Sequence, residues 1–213
     1  MMYKLQRLEL VESLEKKGIT DESFLNAMRD VEREKFIPSG VRQHTYRDIA
    51  LPIGHGQTIS QPYTIGIMTQ ALNVKKGNKA LEIGTGAGYQ AALLEKMGAK
   101  VYSIERNFDI YNEAVKRFDK LGIRVHCKHG DGTIGWEEYA PFDKIIVTAG
   151  SPGVPEQLKK QLAIDGKMVI PVGNKFSQTL QVLTKYSDDE FEVEDIHEFA
   201  LVPLIGREGL KEQ

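Results

Sequence analysis

Cysteine is almost absent from this sequence: its 213 residues include a single one, Cys127. One cysteine excludes an intramolecular disulfide framework and a zinc site built on cysteines, and such sparse use is typical of a reducing cytosol. Cys127 lies in an alternating run at 124–127, which favours a buried small hydrophobic residue over a nucleophile. The five histidines show no metal-ligand spacing. We therefore expect a cytoplasmic protein without a metal ion.

A surplus of charge is missing as well. The chain has 28 Lys and Arg residues against 30 Asp and Glu residues, a formal net charge of −2. Proteins that bind nucleic acid through its phosphates usually carry a basic surplus, so no nucleic-acid partner is expected. Apolar runs of about 18 residues are lacking, so no membrane span is expected. Lys4, Arg7 and Glu9 interrupt residues 1–10, which are therefore not expected to form a signal peptide.

The most unusual absence is local. The chain is 27% charged, yet residues 49–74 contain no Asp, Glu, Lys or Arg. Pro52, Gly54 and Pro62 interrupt this stretch, so it is not a membrane segment. Its first half predicts a loop punctuated by glycine and proline, and residues 62–72 predict a buried helix.

The rest of the chain predicts an α/β fold. Two helices are predicted before the uncharged stretch, the second capped by Thr20 or Asp21. The first is predicted to bury one apolar face, made by Leu5, Leu8, Val11 and Leu14. From residue 77 onwards, short strands alternate with helices, and the strands are predicted at 79–83, 100–104, 124–128, 142–148, 167–171 and 179–185. Such repeated β-α units predict a doubly wound, mostly parallel sheet with N-terminal helices.

We expect one domain over residues 1–213, built from three parts. Residues 1–76 form a helical part with a loop, and residues 77–186 form a nucleotide-binding core. Residues 187–213 form a C-terminal edge strand and a substrate-side segment. Seven acids and no base occur between 187 and 200, which favours an exposed edge strand whose charges discourage pairing with another sheet.

A glycine-rich turn predicts a ligand site. Gly84, Gly86 and Gly88 follow a strand directly and open a helix, where close backbone approach to a ligand is needed. The dinucleotide fingerprint would place its third glycine at 89, where Tyr89 stands. Glu82 precedes the turn; it would repel a pyrophosphate but suits a cationic ligand end such as an ammonium group. The spacing therefore disfavours a nicotinamide dinucleotide.

Two further acids end the next two strands. Glu105 is placed to accept both hydroxyls of a ribose, and Asp131, between Gly130 and Gly132, is placed to contact an adenine amino group. Three acids at successive strand ends match the amino-acid tail, ribose and base of one ligand. The pattern predicts S-adenosyl-L-methionine as the cofactor.

Five motifs carry a family resemblance. They are ALPIGHGQTISQP at 50–62, LEIGTGAGYQ at 81–90, VTA at 147–149, VIPVG at 169–173 and LVPL at 201–204. Over roughly residues 30–205 the chain resembles the protein-L-isoaspartate (D-aspartate) O-methyltransferase family, and the QTISQP loop makes the match specific. The resemblance implies the class I S-adenosylmethionine-dependent methyltransferase fold. It also implies methyl transfer to the free carboxylate of L-isoaspartyl and D-aspartyl residues in damaged proteins and peptides, which initiates repair through a succinimide and leaves S-adenosyl-L-homocysteine.

The same resemblance implies the site residues. Ser60 is the expected catalytic residue, which orients the isoaspartyl carboxyl group, and Thr58, Ser60 and Val202 are expected to contact the substrate. The residues expected at the cofactor are Gln57, Thr58, Ile59, Ser60, Glu82, Gly84, Thr85, Gly86, Ala87, Gly88, Glu105, Gly130, Asp131 and Gly132. Two departures concern Ala87, where some relatives have serine, and Gly150-Ser151, where two alanines are more usual. From the residues alone, Ser60 is equally suited to cap the helix at Pro62.

The chemistry of a carboxylate substrate fits these residues. Such a group has a pKa near about 4 and is ionised at pH 7, so it needs no general base. Residues 148–153, after the fourth strand of the series, contain no acid, base or amide. His55 is expected to form structural hydrogen bonds instead of acting as a base. The alternatives left open are a class I methyltransferase acting on a small-molecule carboxylate or RNA, and a non-catalytic S-adenosylmethionine-binding module.

Overall fold

A central sheet organises the computed structural model, which describes residues 2–174 and 176–211. Its helices are α1 (Met2–Lys16), α2 (Glu22–Asp30), α3 (Pro62–Leu72), α4 (Tyr89–Lys96), α5 (Phe108–Leu121) and α6 (Glu156–Gln161). Its strands are β1 (Leu51–Gly54), β2 (Gln57–Ile59), β3 (Lys79–Ile83), β4 (Lys100–Glu105), β5 (Val125–His129), β6 (Phe142–Val147), β7 (Leu162–Gly173), β8 (Gln178–Lys185) and β9 (Phe191–Phe199). Among these helices, none has the length and apolar character needed to cross a membrane.

The central sheet has the strand order β5-β4-β3-β6-β7-β8-β9. Its first five strands are parallel, and β8 and β9 are antiparallel additions at one edge. The predicted doubly wound, mostly parallel sheet is confirmed. From β3 the chain moves outward to β4 and β5, then returns to add β6 on the other side of β3. Such a reversal opens a crevice at the carboxyl ends of the strands, where open α/β sheets bind ligands.

Both faces of the sheet are buried, as helices on each side require. Alternate side chains of the strands enter two separate hydrophobic clusters. Ala80 and Val101 pack with the N-terminal helices, α3 and α4, whereas Leu81 and Tyr102 pack on the opposite face with Leu158 of α6. This period of two is the expected result of side chains that alternate along a strand.

The first helix is present, but its predicted apolar face is partly wrong. Leu5 and Leu8 are 61% and 37% exposed. The buried side chains of α1 are Arg7, Leu10, Val11 and Leu14. The helix is rotated so that Arg7 lies inside with other polar groups. The second helix is capped by Asp21, whose Oδ1 accepts a hydrogen bond of 3.1 Å from the Phe24 amide.

Residues 51–60, here called the hairpin loop, differ from the prediction of an irregular loop. They contain β1 and β2, which pair as an antiparallel hairpin. His55 and Gly56 form its turn with φ values of 52° and 69°. Positive φ at both central residues is the geometry of a tight hairpin turn, and a His-Gly pair is a weak signal for it. Helix α3 begins at Pro62, as predicted.

The other edge of the sheet ends in β9. It pairs only with β8 among the described strands, so the predicted edge strand is confirmed. Strand β7 begins at Leu162, five residues earlier than predicted. Each of the three predicted parts of the chain includes residues outside the described ones: Met1 in the first, Lys175 in the second and residues 212–213 in the last.

Candidate active site

A cavity of about 500 Å³ opens at the carboxyl ends of β3, β4 and β6. Three segments form most of its wall: the hairpin loop, the glycine turn at 84–88, and residues 201–207, here called the C-terminal segment. Eleven of the fourteen residues expected at the cofactor line it: Gln57, Thr58, Ile59, Ser60, Glu82, Gly84, Thr85, Gly86, Ala87, Glu105 and Gly132. Val202, expected at the substrate, also lines it.

The glycine turn brings backbone to the cavity because side chains do not fit there. Gly84 has φ of 95°, and a Cβ on it would lie 2.6 Å from the Thr148 hydroxyl. That hydroxyl donates to the carbonyls of Ile83 and Gly84 at 3.0 and 2.9 Å. At Gly88 a Cβ would lie 2.5 Å from the Phe118 ring of α5. Gly88 therefore serves helix packing and does not line the cavity, unlike the expectation that it contacts the cofactor.

Glu82 is a fully buried acid at the floor of the cavity. The Ser103 hydroxyl donates to its Oε2, and the Ser103 and Thr85 hydroxyls are 2.6 Å apart. Its Oε1 has no hydrogen-bond donor among the described residues. Burial raises the pKa of Glu82 to about 8, although the Ser103 hydrogen bond opposes this shift. An unpartnered carboxyl oxygen in a buried wall is suited to a cationic donor.

Glu105, the last residue of β4, is held by two backbone groups. Its Oε2 accepts from the Gly86 amide at 3.0 Å, and its Oε1 accepts from the Asn107 amide at 2.9 Å. A carboxylate has about four acceptor positions, so each oxygen keeps capacity for another donor. Because both oxygens are fixed at the cavity wall, Glu105 is suited to bind two neighbouring hydroxyl groups.

Asp131 lies behind the wall of the cavity. Its Oδ1 accepts from the amide and hydroxyl of Thr133 at 2.9 and 2.8 Å. Its Oδ2 accepts from the Arg207 amide at 2.7 Å. The structure does not bring Asp131 or Gly130 to the cavity, because Asp131 anchors the C-terminal segment to the turn after β5. This position of the Asp131 side chain does not support the expected contact with the adenine amino group.

Ser60 follows β2 at the rim of the cavity. Its carbonyl accepts a hydrogen bond of 2.8 Å from Arg33 Nη2. No group among the described residues forms a hydrogen bond with its hydroxyl. The N-cap of α3 is Gln61, whose side chain forms no cap, and the first-turn amide of Tyr63 donates to Asp48 Oδ1 at 2.8 Å, so the helix-capping alternative for Ser60 is wrong. The hydroxyl is thus left to act at the cavity.

The C-terminal segment is held against the sheet by Gly150 and Gln178. The Gly150 amide donates to the Val202 carbonyl at 2.7 Å, and the Gly150 carbonyl accepts from the Leu204 amide at 2.8 Å. Gln178 Oε1 accepts from the Leu201 amide at 2.7 Å. A Cβ at position 150 would lie 2.7 Å from Gln178 Cδ. Glycine in place of the more usual alanine therefore leaves room for the Gln178 amide.

Several cavity residues were missed by the sequence analysis. Thr148 and Asn107 follow β6 and β4, so the rule that ligands bind at carboxyl ends of parallel strands was enough to find them. Ile205 also lines the cavity, without a local signal. His55 lines it too, and its Nε2 lies 3.8 Å from Glu113 Oε1.

Cys127 is no nucleophile. It is half-buried on β5, and burial raises the pKa of its thiol to about 12. The expected buried hydrophobic role fits this environment.

Comparisons with known proteins agree with this geometry. Residues 5–209 match the family model described as protein-L-isoaspartate(D-aspartate) O-methyltransferase. The chain is 48% identical over 211 residues to the protein-L-isoaspartate O-methyltransferase of Chlorobium phaeovibrioides, covering 96% of this chain and 92% of the relative. It is 49% identical over 205 residues to the enzyme of that name from Chlorobium phaeobacteroides, covering 96% of this chain and 94% of the relative.

A solved structure is also similar. It is described as a protein-L-isoaspartate O-methyltransferase from Plasmodium falciparum in complex with S-adenosyl-L-homocysteine. It superposes with a TM-score of 0.81 at 28% identity, covering 93% of this chain and 98% of that one.

Proposed function

The chain belongs to the protein-L-isoaspartate (D-aspartate) O-methyltransferase family, and from that premise we propose that Ser60, Glu82 and Glu105 carry its reaction. The chain is an S-adenosylmethionine-dependent protein carboxyl O-methyltransferase that acts on isoaspartyl residues of damaged proteins and peptides. One observation supports the residue roles above the others. A single cavity has buried carboxyl groups on one side and, on the other, an uncharged hairpin loop whose serine hydroxyl has no partner among the described residues.

The cofactor side fits S-adenosyl-L-methionine. Glu82 Oε1 is a buried acceptor without a donor in the described residues, as a bound ammonium group requires. Glu105 keeps acceptor capacity for the ribose hydroxyls, and Gly84 lines the cavity at a position where Thr148 leaves no room for a Cβ. When bound, the cofactor supplies a methyl group on a positively charged sulfur and is converted to S-adenosyl-L-homocysteine.

The substrate side has to bind a carboxylate without suppressing its reactivity. The isoaspartyl carboxylate is already ionised at pH 7, so no residue has to remove a proton. The Ser60 hydroxyl donates a hydrogen bond that orients one oxygen of the carboxylate while the other faces the methyl group. A fixed cation would bind the carboxylate more tightly but would reduce its nucleophilicity. The hairpin loop, without Lys or Arg, avoids this cost.

The peptide around the damaged residue binds along the C-terminal segment near Val202, with Thr58 on the opposite side. Main-chain hydrogen bonds to an extended peptide do not depend on its side chains, so varied flanking sequences are accepted. The methyl ester carries a methoxy group, which leaves far more readily than the oxygen of a carboxylate. The next backbone nitrogen attacks the ester carbonyl and expels methanol, which gives a succinimide; hydrolysis opens part of it to a normal aspartyl bond.

The decisive experiment uses labelled S-adenosyl-L-methionine and paired peptides that differ only in an isoaspartyl or aspartyl linkage. We expect label in the isoaspartyl peptide alone. A D-aspartyl peptide forms a third arm and tests the wider substrate range that the family description includes. Equal labelling of the isoaspartyl and aspartyl peptides, or labelling of neither, would refute the assignment.

Methylation of a small-molecule carboxylate or of RNA is not favoured, since residues 5–209 match the protein-methylating family. The same assay with RNA and with free dicarboxylic acids tests this alternative directly. Turnover on the isoaspartyl peptide also excludes a non-catalytic binding module.

A further inference from the structure

Arg33 is the largest fully buried side chain and a cation. A buried guanidinium is costly unless its donors find partners. No carboxylate of the described residues pairs with it, and the neighbouring Glu34 carboxylate accepts instead from the Tyr46 hydroxyl. Burial accordingly lowers the pKa of Arg33 from its ordinary value. The fold therefore retains Arg33 at a cost, which calls for a role beyond packing.

The contacts of Arg33 connect three segments around the active site. Its Nε donates to the Thr45 carbonyl at 3.1 Å, just before the hairpin loop. Its Nη2 donates to the Ser60 carbonyl at 2.8 Å, at the end of that loop. Its Cζ lies 4.9 Å from the ring centre of Tyr89, the first residue after the glycine turn. One planar group therefore connects the segment before the hairpin loop, the end of that loop and the start of α4.

The position of the Ser60 hydroxyl is set by the backbone of the residue. Its hydroxyl has no partner in the described part of the chain, so no side-chain contact sets where the hydroxyl lies. The two segments that flank it differ: α3 is anchored by its buried residues, whereas the hairpin loop is a two-stranded ribbon with a turn at His55 and Gly56. A two-stranded hairpin is only marginally stable by itself. The hydrogen bond from Arg33 is the contact that holds the Ser60 carbonyl.

We propose that Arg33 is a positioning residue for methyl transfer: by fixing the Ser60 carbonyl relative to Tyr89, it sets the distance between the Ser60 hydroxyl and the cofactor side. This inference rests on the proposed role of Ser60. A displacement of about 1 Å at a reacting group can lower turnover about 100-fold, so a guanidinium far from the substrate can control kcat.

The test compares Arg33→Lys and Arg33→Met with Arg7→Met. Arg7 is the matched control, because it is also buried and its Nε and Nη1 have no partner among the described residues. Lysine keeps the charge of Arg33 but lacks the fork that reaches two carbonyls. We expect Arg33→Lys to lower kcat about 10- to 100-fold with a KM for the isoaspartyl peptide within about threefold. We expect Arg7→Met to lower the melting temperature and to leave kcat within about twofold of the wild type.

A double mutant separates positioning from stability. In a Ser60→Ala background, Arg33→Lys should lower the remaining kcat by less than about threefold, because the group that Arg33 positions is gone. Hydrogen exchange of residues 57–61 should be faster in Arg33→Lys than in Arg7→Met, and this measurement remains informative if Arg33→Met does not fold. An unchanged kcat in Arg33→Lys, or a full loss in the Ser60→Ala background, would overturn the inference. If the proposed function itself is wrong, the wild-type chain is inactive on the isoaspartyl peptide, which distinguishes this outcome from a failure of the positioning role.

Discussion

On the side of the cavity formed by β3 and β4, Glu82 and Glu105 place two carboxyl groups at or near strand ends. On the opposite side, the hairpin loop contributes backbone, hydroxyls and one imidazole, with no Asp, Glu, Lys or Arg. The first side lies on β3 and β4, whose residues are almost all buried. The second lies on a two-stranded ribbon and on the C-terminal segment, which a few hydrogen bonds hold in place.

The difference follows from what each side binds. The cofactor has one fixed structure, so rigid strand ends with carboxyl acceptors match it group by group. The substrate is any peptide with one abnormal linkage, so its side relies on a hydroxyl and on backbone. Substitutions on the first side should therefore change cofactor affinity, and substitutions on the second should change turnover or peptide KM.

Ser60→Ala should have the largest effect. Removing one donor that stabilises charge at a reacting group lowers kcat about 100- to 1000-fold. The dissociation constant of the cofactor should change less than about threefold, since Ser60 is at the rim. Steady-state methylation of the isoaspartyl peptide and calorimetry measure the two quantities. If cofactor affinity falls as far as turnover does, the two sides are not separate.

Glu105→Gln should weaken cofactor binding about 10- to 100-fold, because hydrogen bonds to a charged group contribute about 1.5–3 kcal/mol. At saturating cofactor, kcat should stay near the wild-type value. Calorimetry measures the dissociation constant, with the exposed Glu113→Gln as the matched control on α5. An unchanged dissociation constant in Glu105→Gln contradicts the ribose role.

Gln178→Leu tests the substrate side away from the hairpin loop. It removes the acceptor of the Leu201 amide, a loss of about 1 kcal/mol that should raise the peptide KM about fivefold. Cofactor affinity should not change. Gln181→Leu, on the same strand but bonded to the exposed Asp195, is the control. Equal KM values for both variants would show that the C-terminal segment does not need Gln178.

The smallest effect concerns Glu82 and pH. The pKa of Glu82 is about 8 in the folded chain and near its ordinary value of 4.5 in the unfolded chain. The folded state thus keeps a proton that the unfolded state has lost. The resulting stabilisation is complete below pH 4.5 and is lost as pH rises through 8. Between pH 7 and 8 the wild type should lose about 1 kcal/mol of unfolding free energy relative to Glu82→Gln.

Denaturant unfolding without cofactor at pH 6, 7 and 8 measures this difference for both chains. Parallel pH curves for wild type and Glu82→Gln would mean that Glu82 is ionised in the folded state. The cofactor side would then hold a permanent buried anion.

The sequence predicted best those site residues that lie at the carboxyl end of a strand. Glu82, Gly84 and Glu105 were predictable because carboxyl ends of parallel strands meet at one edge of a sheet. Arg33 and Gln178 were not, since their partners Ser60 and Leu201 lie 27 and 23 positions away and no local pattern connects them.

The errors have the same origin. Leu5 and Leu8 obeyed the helical period, but the buried Arg7 rotates α1 so that they face solvent. The hairpin turn at His55 and Gly56 lacks the Asn-Gly or Asp-Gly pair that would have revealed it. Tertiary contacts determine both the rotation of α1 and the turn of the hairpin loop. Neither the helical periodicity nor the turn residues of the sequence predict such contacts.

The bonds around Asp131 have a consequence for the lifetime of the protein itself. Succinimides form when the amide nitrogen of the following residue attacks a side-chain carbonyl carbon, and a following glycine leaves that nitrogen unshielded. The sequence has no Asn-Gly pair but two Asp-Gly pairs, Asp131-Gly132 and Asp165-Gly166. Three donors from Thr133 and Arg207 hold both oxygens of the Asp131 carboxylate. Held in this way, the Asp131 carboxylate cannot turn freely toward the Gly132 nitrogen, so the anchor of the C-terminal segment also slows succinimide formation at this one of the two pairs.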